Sequence, residues 1–190
     1  MSTRTGNVMA AQDINEAVKT RIKVKIAEGK KESDISDEDL THIAVGAVKY
    51  SILKQDSSKD IIFDFDKSLS FEGSSGPYLQ YTFARTQSVL DKARENGVKV
   101  DLTKPEEVGE IEKLLSRFPE MVYRSGEELA PHHLVTYLTE LASSFNAYYA
   151  NNKIVSEEEN SAYRVGLTSA VGQVLKNGLG LLGIAAPARM

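Results

Sequence analysis

Three residues near the middle of the chain have the types and the spacing to hold a nucleic acid: Tyr78, Tyr81 and Arg85. Placed three and four positions apart, they share one face of any helix that contains them. Phenol rings give stacking surface and a guanidinium gives a planar fork of donors, a combination suited to unstacked RNA bases and their phosphates. Two amphipathic tyrosines at a core edge beside a solvated arginine would show the same spacing, so periodicity alone leaves both readings open. Other candidate groups point to less. His42, His132 and His133 have no metal-ligand spacing, and no metal site is expected. Asp64 and Asp66 form a tempting acidic pair but receive no chemical role.

The elements needed to position that face are legible around it. Ser74 and Ser75 can accept from the free N–H groups of a first helical turn, Gly76 permits a close approach, and Pro77 suits the first helical position. The helix should run from Pro77 to about Glu95 and stop at Asn96-Gly97, a strong turn signal. Before it, Ile14, Val18, Ile22 and Ile26 repeat at i+4 and predict an amphipathic helix from Ala10 to about Glu28. Its Lys19, Arg21, Lys23 and Lys25 could form a phosphate-facing stripe or a solvated face. Ser36 followed by three acids reads as a capped start for a helix through Leu40, Ile43, Ala47, Val48 and Ile52.

Phe63 and Phe65 alternate with acids, which suggests a short extended piece, and Val98 to Leu102 suggests another. A helix from Glu106 to Phe118 should bury Val108, Ile111, Leu114 and Leu115 and end at Pro119, leaving Met121 to Tyr123 as a linker. Two long helices follow, one from Pro131 and one from Glu157 to about Gly178. The expected fold class is all-α, a helical bundle with one or two short extended segments.

Composition bounds the function. With 190 residues, 41% hydrophobic and 26% charged, the chain can hold one domain with a good core, or one domain plus an appendage. No apolar run reaches the ~20 residues needed to span a bilayer, so no membrane partner is expected. The absence of cysteine excludes disulfides and thiolate metal sites and fits a cytoplasmic protein. The net charge of −4 argues against a dedicated phosphate binder and, taken alone, favours a protein-interaction module. RNA affinity would have to come from local patches and stacking.

Several segments, in order, resemble the arginyl-tRNA synthetase family. Phe71-Glu-Gly-Ser-Ser-Gly-Pro-Tyr-Leu-Gln-Tyr with Ala84-Arg85 is similar to that family's G-N/D-T/S-G-P-Y-x-Q-Y-x-x-A-R segment. Met1-Ser-Thr-Arg-Thr-Gly-Asn7 resembles its K-M-S-K-S-type loop, with Thr5 where lysine is common. Phe145 to Val155 resembles F-x-x-F-Y-x-x-x-x-V, and Gln173 to Ile184 resembles Q-V-L-x-x-G-L-x-L-L-G-I. Ser161-Ala-Tyr-Arg164 stands where the family has D-A-L-R, with only Ala162 and Arg164 retained. No H-x-G-H string occurs.

The resemblance implies the C-terminal part of such an enzyme: residues 1–9 a remnant of the catalytic loop, 10–68 connecting stem helices, and 69–190 a DALR-type anticodon-binding bundle. Ser2 and Arg4 would then face ATP, which the full-length enzyme uses with Mg, while the fragment itself needs no cofactor. The implied partners are the anticodon arm of arginine tRNA, tRNA(Arg), and the missing catalytic half, without which no aminoacylation is expected. Candidate tRNA-binding residues are Tyr78, Gln80, Tyr81, Arg85, Tyr149, Arg189 and Met190. Gln80 could read a base edge or fix the helix start, and Tyr148 is expected in the core beside an outward Tyr149. Met190 would offer an apolar contact and a carboxylate. A free-standing helical RNA-binding or protein-interaction module is the alternative.

Overall fold

The computed structural model describes residues 11–28, 36–61, 63–103 and 108–190. Among them are seven helices: α1 Ala11–Glu28, α2 Asp37–Leu53, α3 Phe65–Ser68, α4 Gly76–Glu95, α5 Glu110–Glu127, α6 His132–Asn151 and α7 Ser161–Leu181. No strand occurs among the described residues, and no helix there is long and apolar enough to cross a membrane.

Two apolar clusters organise these helices. The larger joins α4, α5, α6 and α7 through residues such as Leu79, Phe83, Leu138, Phe145, Val171 and Leu175. The smaller holds α1, α2 and Leu69 together through Val18, Ile22, Leu40, Ile43 and Ala47. They meet where α2 crosses α4, and that crossing depends on two glycines. A Cβ at Gly76 would sit 2.3 Å from the carbonyl oxygen of Gly46, and a Cβ at Gly46 would meet the Gln80 side chain at 2.7 Å. Only backbone fits there. Tyr50 seals the junction, buried in the larger cluster with its hydroxyl 2.9 Å from that of Thr139. Tyr50 thus takes the inward place, whereas Ile52, expected in the core, is exposed.

The local signals around α4 work as expected. The Ser75 hydroxyl accepts from the Tyr78 N–H at 3.0 Å, Pro77 occupies the first turn, and Gly97 ends the helix with φ +69. Ser36 caps α2 through the Asp39 N–H. The extended piece at Ile61 to Asp66 does not form. Asp64 is instead the N-cap of α3, accepting from the Asp66 and Lys67 N–H groups at 3.0 and 3.1 Å. Those bonds, led by that of Lys67, hold its carboxyl below the usual range. Asp64 keeps an extended backbone (φ −103, ψ 113), and its side chain starts a helical turn there in place of a strand. Val98 to Leu102 likewise pairs with no strand; Asp101 N–H donates to the Ala162 carbonyl beside the start of α7.

Helix α5 departs most from expectation. It begins at Glu110, four residues later than predicted, because Glu112 reaches back to accept from the Gly109 N–H at 3.1 Å. Val108 therefore lies outside it, 65% exposed. Pro119 does not end it: the helix continues to Glu127, and Met121, assigned to a linker, is buried. Proline removes one N–H from the ladder. That loss falls on an exposed turn, while Ile111, Leu114 and Met121 anchor the opposite face in the core. Packing outweighs the missing bond here.

Candidate nucleic-acid interface

Helices α4 and α6 and residues 182–190 enclose a groove of about 530 Å³. Five of the seven predicted tRNA-binding residues line it: Tyr81, Arg85, Tyr149, Arg189 and Met190. Lys92 joins them, so the lining holds three cations and no acidic side chain. The positive character the whole chain lacks is concentrated in this groove.

At its centre the Arg85 guanidinium lies between two phenol rings, 4.8 Å from the centroid of Tyr81 and 4.9 Å from that of Tyr149. Such contacts are worth about 0.5–2 kcal/mol each, depending on desolvation. Both rings remain partly in solvent, with Tyr81 36% and Tyr149 40% exposed. Phe71 meets Tyr81 edge-on, with centroids 6.3 Å apart and planes at 74°, and the core residue Phe145 lies 6.4 Å from Tyr149. Each ring is therefore braced by a second aromatic side chain.

Residues 182–190 are fastened before they reach the groove. Gly183 turns with φ +65, and the Lys49 ammonium donates to its carbonyl. Ile184 is buried, and Gln80 Nε2 donates to the Ala185 carbonyl at 2.9 Å. Met190 then packs against the smaller core cluster.

This geometry corrects one assignment and qualifies another. Gln80 is 0% exposed and its amide also donates to the His42 carbonyl at 3.1 Å, so it reads no base edge. It binds α4, α2 and the tail together at the crossing. Tyr78 is half-buried against the main core and does not line the groove. One helical face turned toward two neighbours, so the three-residue stripe divides between packing and surface. Ser2 and Arg4 lie outside the described residues.

Sequence reasoning missed Asn146 and Thr82. Asn146 Oδ1 accepts from Arg85 Nη1 at 2.5 Å, and its Nδ2 donates to Thr82 Oγ1 at 2.9 Å. Each lies three residues before a groove residue on its own helix, and that offset was the available signal. Three of the basic residues on α1 have partners within the chain: Lys19 and Lys23 approach Asp37 at 3.5 and 3.2 Å, and Arg21 lies 4.0 Å over Phe65. Tyr148, one residue before Tyr149, is half-buried against the core, as expected. It lines a second, more apolar pocket of about 340 Å³ with Tyr163 and Glu112, whose groups hydrogen-bond at 2.9 Å. Burial, with the adjacent Glu112, pushes the Tyr163 phenol up to about 12. Arg164 donates to the Lys153 carbonyl and to Glu158, and Ser161 to the Ile154 carbonyl, so this stretch ties α7 to the preceding loop. Among the described residues no group of three or more histidines and carboxylates could hold a metal ion.

Fold and groove together define an all-α bundle that presents a basic aromatic cleft, of the kind that grips single-stranded nucleic acid. A family model for the DALR anticodon binding domain matches residues 79–190, and the chain belongs to that family. Arginine--tRNA ligase of Halothermothrix orenii is 37% identical over 194 residues, covering 100% of this chain and 34% of that protein. The Thermococcus kodakarensis enzyme of the same name is 42% identical over 177 residues, covering 84% and 27%. Among solved structures, Thermus thermophilus arginyl-tRNA synthetase superimposes with a TM-score of 0.82 at 31% identity, over 96% of this chain and 32% of that one. The Plasmodium falciparum arginyl-tRNA synthetase gives 0.74 at 25%, over 94% and 32%. The chain spans about a third of the length of the relatives it matches.

Proposed function

We propose that this chain is the C-terminal, anticodon-arm-binding part of a cytoplasmic arginine–tRNA ligase and that its cognate RNA is tRNA(Arg). Residues 10–68 serve as the connecting stem and 69–190 as the binding bundle. The observation that carries this reading is the groove in which Tyr81, Arg85, Tyr149 and Arg189 meet without an acidic side chain. Unstacked anticodon bases lie on the outer faces of the two phenols, and Arg189, Lys92 and the open edge of Arg85 take the phosphates. No covalent step falls to these residues. Arginine activation belongs to the catalytic two thirds that the relatives carry beyond this span, where ATP with Mg supplies the activated phosphate. By itself the chain is expected to show no arginine-dependent pyrophosphate exchange.

Filter binding of tRNA(Arg) and of a tRNA with an unrelated anticodon, across a salt series, tests the proposal. Tighter binding of tRNA(Arg), with log K falling as log salt rises, supports it. Equal or salt-independent binding removes it and leaves the protein-interaction alternative.

A further inference from the structure

Asn146 sits in a chain of hydrogen bonds that crosses from α4 to α6 beneath the groove, and its orientation follows from the donors and acceptors around it. Thr82 Oγ1, fully buried, donates its single proton to the Tyr78 carbonyl at 2.8 Å. It can therefore only accept from Asn146, whose NH₂ must face Thr82 and whose Oδ1 must face Arg85. The amide cannot flip without placing donor against donor.

We propose that Asn146 is a positioning residue for RNA recognition, acting through Arg85. Its oxygen fixes Nη1, while Nη2 donates to the Tyr81 hydroxyl at 3.3 Å. The guanidinium is thereby held against the rings of Tyr81 and Tyr149. Two of its five donors are engaged by these partners, which leaves three for a ligand at a residue that lines the groove. A free arginine would have to give up its side-chain entropy when RNA arrives; this one has lost it on folding. The inference rests on the groove being the RNA site, but the restraint on Arg85 exists in the free protein and can be measured there.

The test uses the whole 190-residue chain with Asn146→Leu, Asn146→Asp and, as a reference for the site itself, Arg85→Ala. Nuclear magnetic resonance of the arginine side-chain N–H groups in free protein reports the restraint. Wild-type Arg85 should give a shifted, slowly exchanging signal, lost in Asn146→Leu and kept in Asn146→Asp, whose carboxylate still accepts. Binding of tRNA(Arg) should weaken roughly tenfold in Asn146→Leu at unchanged melting temperature, as for loss of a charge-assisted hydrogen bond. In Asn146→Asp the slope of log K against log salt should fall by about one, because the guanidinium is neutralised. A purely structural asparagine would lower the melting temperature of Asn146→Leu and leave the Arg85 signal of its folded fraction unchanged. An Arg85 signal unchanged in Asn146→Leu overturns the inference, as does wild-type affinity in that variant while Arg85→Ala binds weakly. If Arg85→Ala itself binds like wild type, the RNA reading of the groove fails, and the Arg85 signal in free protein alone decides whether Asn146 restrains it.

Discussion

Helix α6 places two adjacent tyrosines in pockets of opposite character. Tyr149 meets Tyr81 across Arg85 in a groove with three cations and no acidic side chain. Tyr148 meets Tyr163 in a pocket that carries Glu110 and Glu112 and no cation. The ring types match; what differs is the charged partner and the depth. A guanidinium lies against the faces of its rings and leaves their outer sides open, which makes a stacking platform. A carboxylate accepts a hydrogen bond from the hydroxyl of its ring, and that ring is buried, which makes a packing contact. One residue along a helix turns a side chain by about 100°, and that rotation separates the lining of the groove from the contact with the core.

The comparison predicts first that reversing the charge at the centre of the groove should weaken tRNA binding most. Arg85→Glu gives the Tyr81–Tyr149 pair the chemistry of the other pocket, and tRNA(Arg) binding should drop by about 2–5 kcal/mol. Thermal stability should change far less, since Arg85 sits at the surface of the fold. Retained affinity in a filter assay would break the comparison. The two adjacent alanine substitutions should then act on different observables. Tyr149→Ala should lose about 1–3 kcal/mol of tRNA binding and little stability. Tyr148→Ala should lose about 2 kcal/mol of folding stability through the vacated core contact, with binding preserved in the folded fraction. Denaturation midpoints and tRNA titrations on both proteins sharpen the distinction; equal losses in both measurements would erase it.

How far these pockets could be read beforehand depended on the range of the interaction. The capping of α4 by Ser75, the Gly76 approach and the stop at Gly97 are local, and the residues stand within one turn of what they control. The groove was legible to the extent that Tyr81 and Arg85 share a helix face and that Tyr149 lies in a segment resembling a known one. Gln80 shows the limit: it stands next to Tyr81, which lines the groove, but its amide is consumed by carbonyls 38 and 105 positions away. Pro119 shows another, since a local breaker lost to a core that forms only when α5, α6 and α7 meet. Net charge misled for the same reason, because a sum over the chain does not show where three cations converge.

The smallest predicted effect concerns Glu112. In the folded protein burial, aided by this carboxylate, raises the Tyr163 phenol from 10.0 to about 12, and burial raises Tyr137 similarly. An unfolded chain releases those protons near pH 10, so the folded state binds more protons between pH 10 and 12 and loses stability as pH rises through that window. Glu112→Gln keeps an acceptor but removes the charge, which should cost about 1 kcal/mol at pH 8–9 through a weaker hydrogen bond. It also brings the folded phenol closer to its ordinary value, so the alkaline decline becomes shallower. The gap between variant and wild type should therefore close as pH approaches 12, where Tyr163 ionises in both. Urea midpoints at pH 9 and pH 11.5 measure it. A gap constant with pH would mean that Glu112 acts through its cap on the Gly109 N–H rather than through Tyr163. Binding of tRNA(Arg) at pH 8 should be unchanged in Glu112→Gln, since this carboxylate lines the second pocket and not the groove.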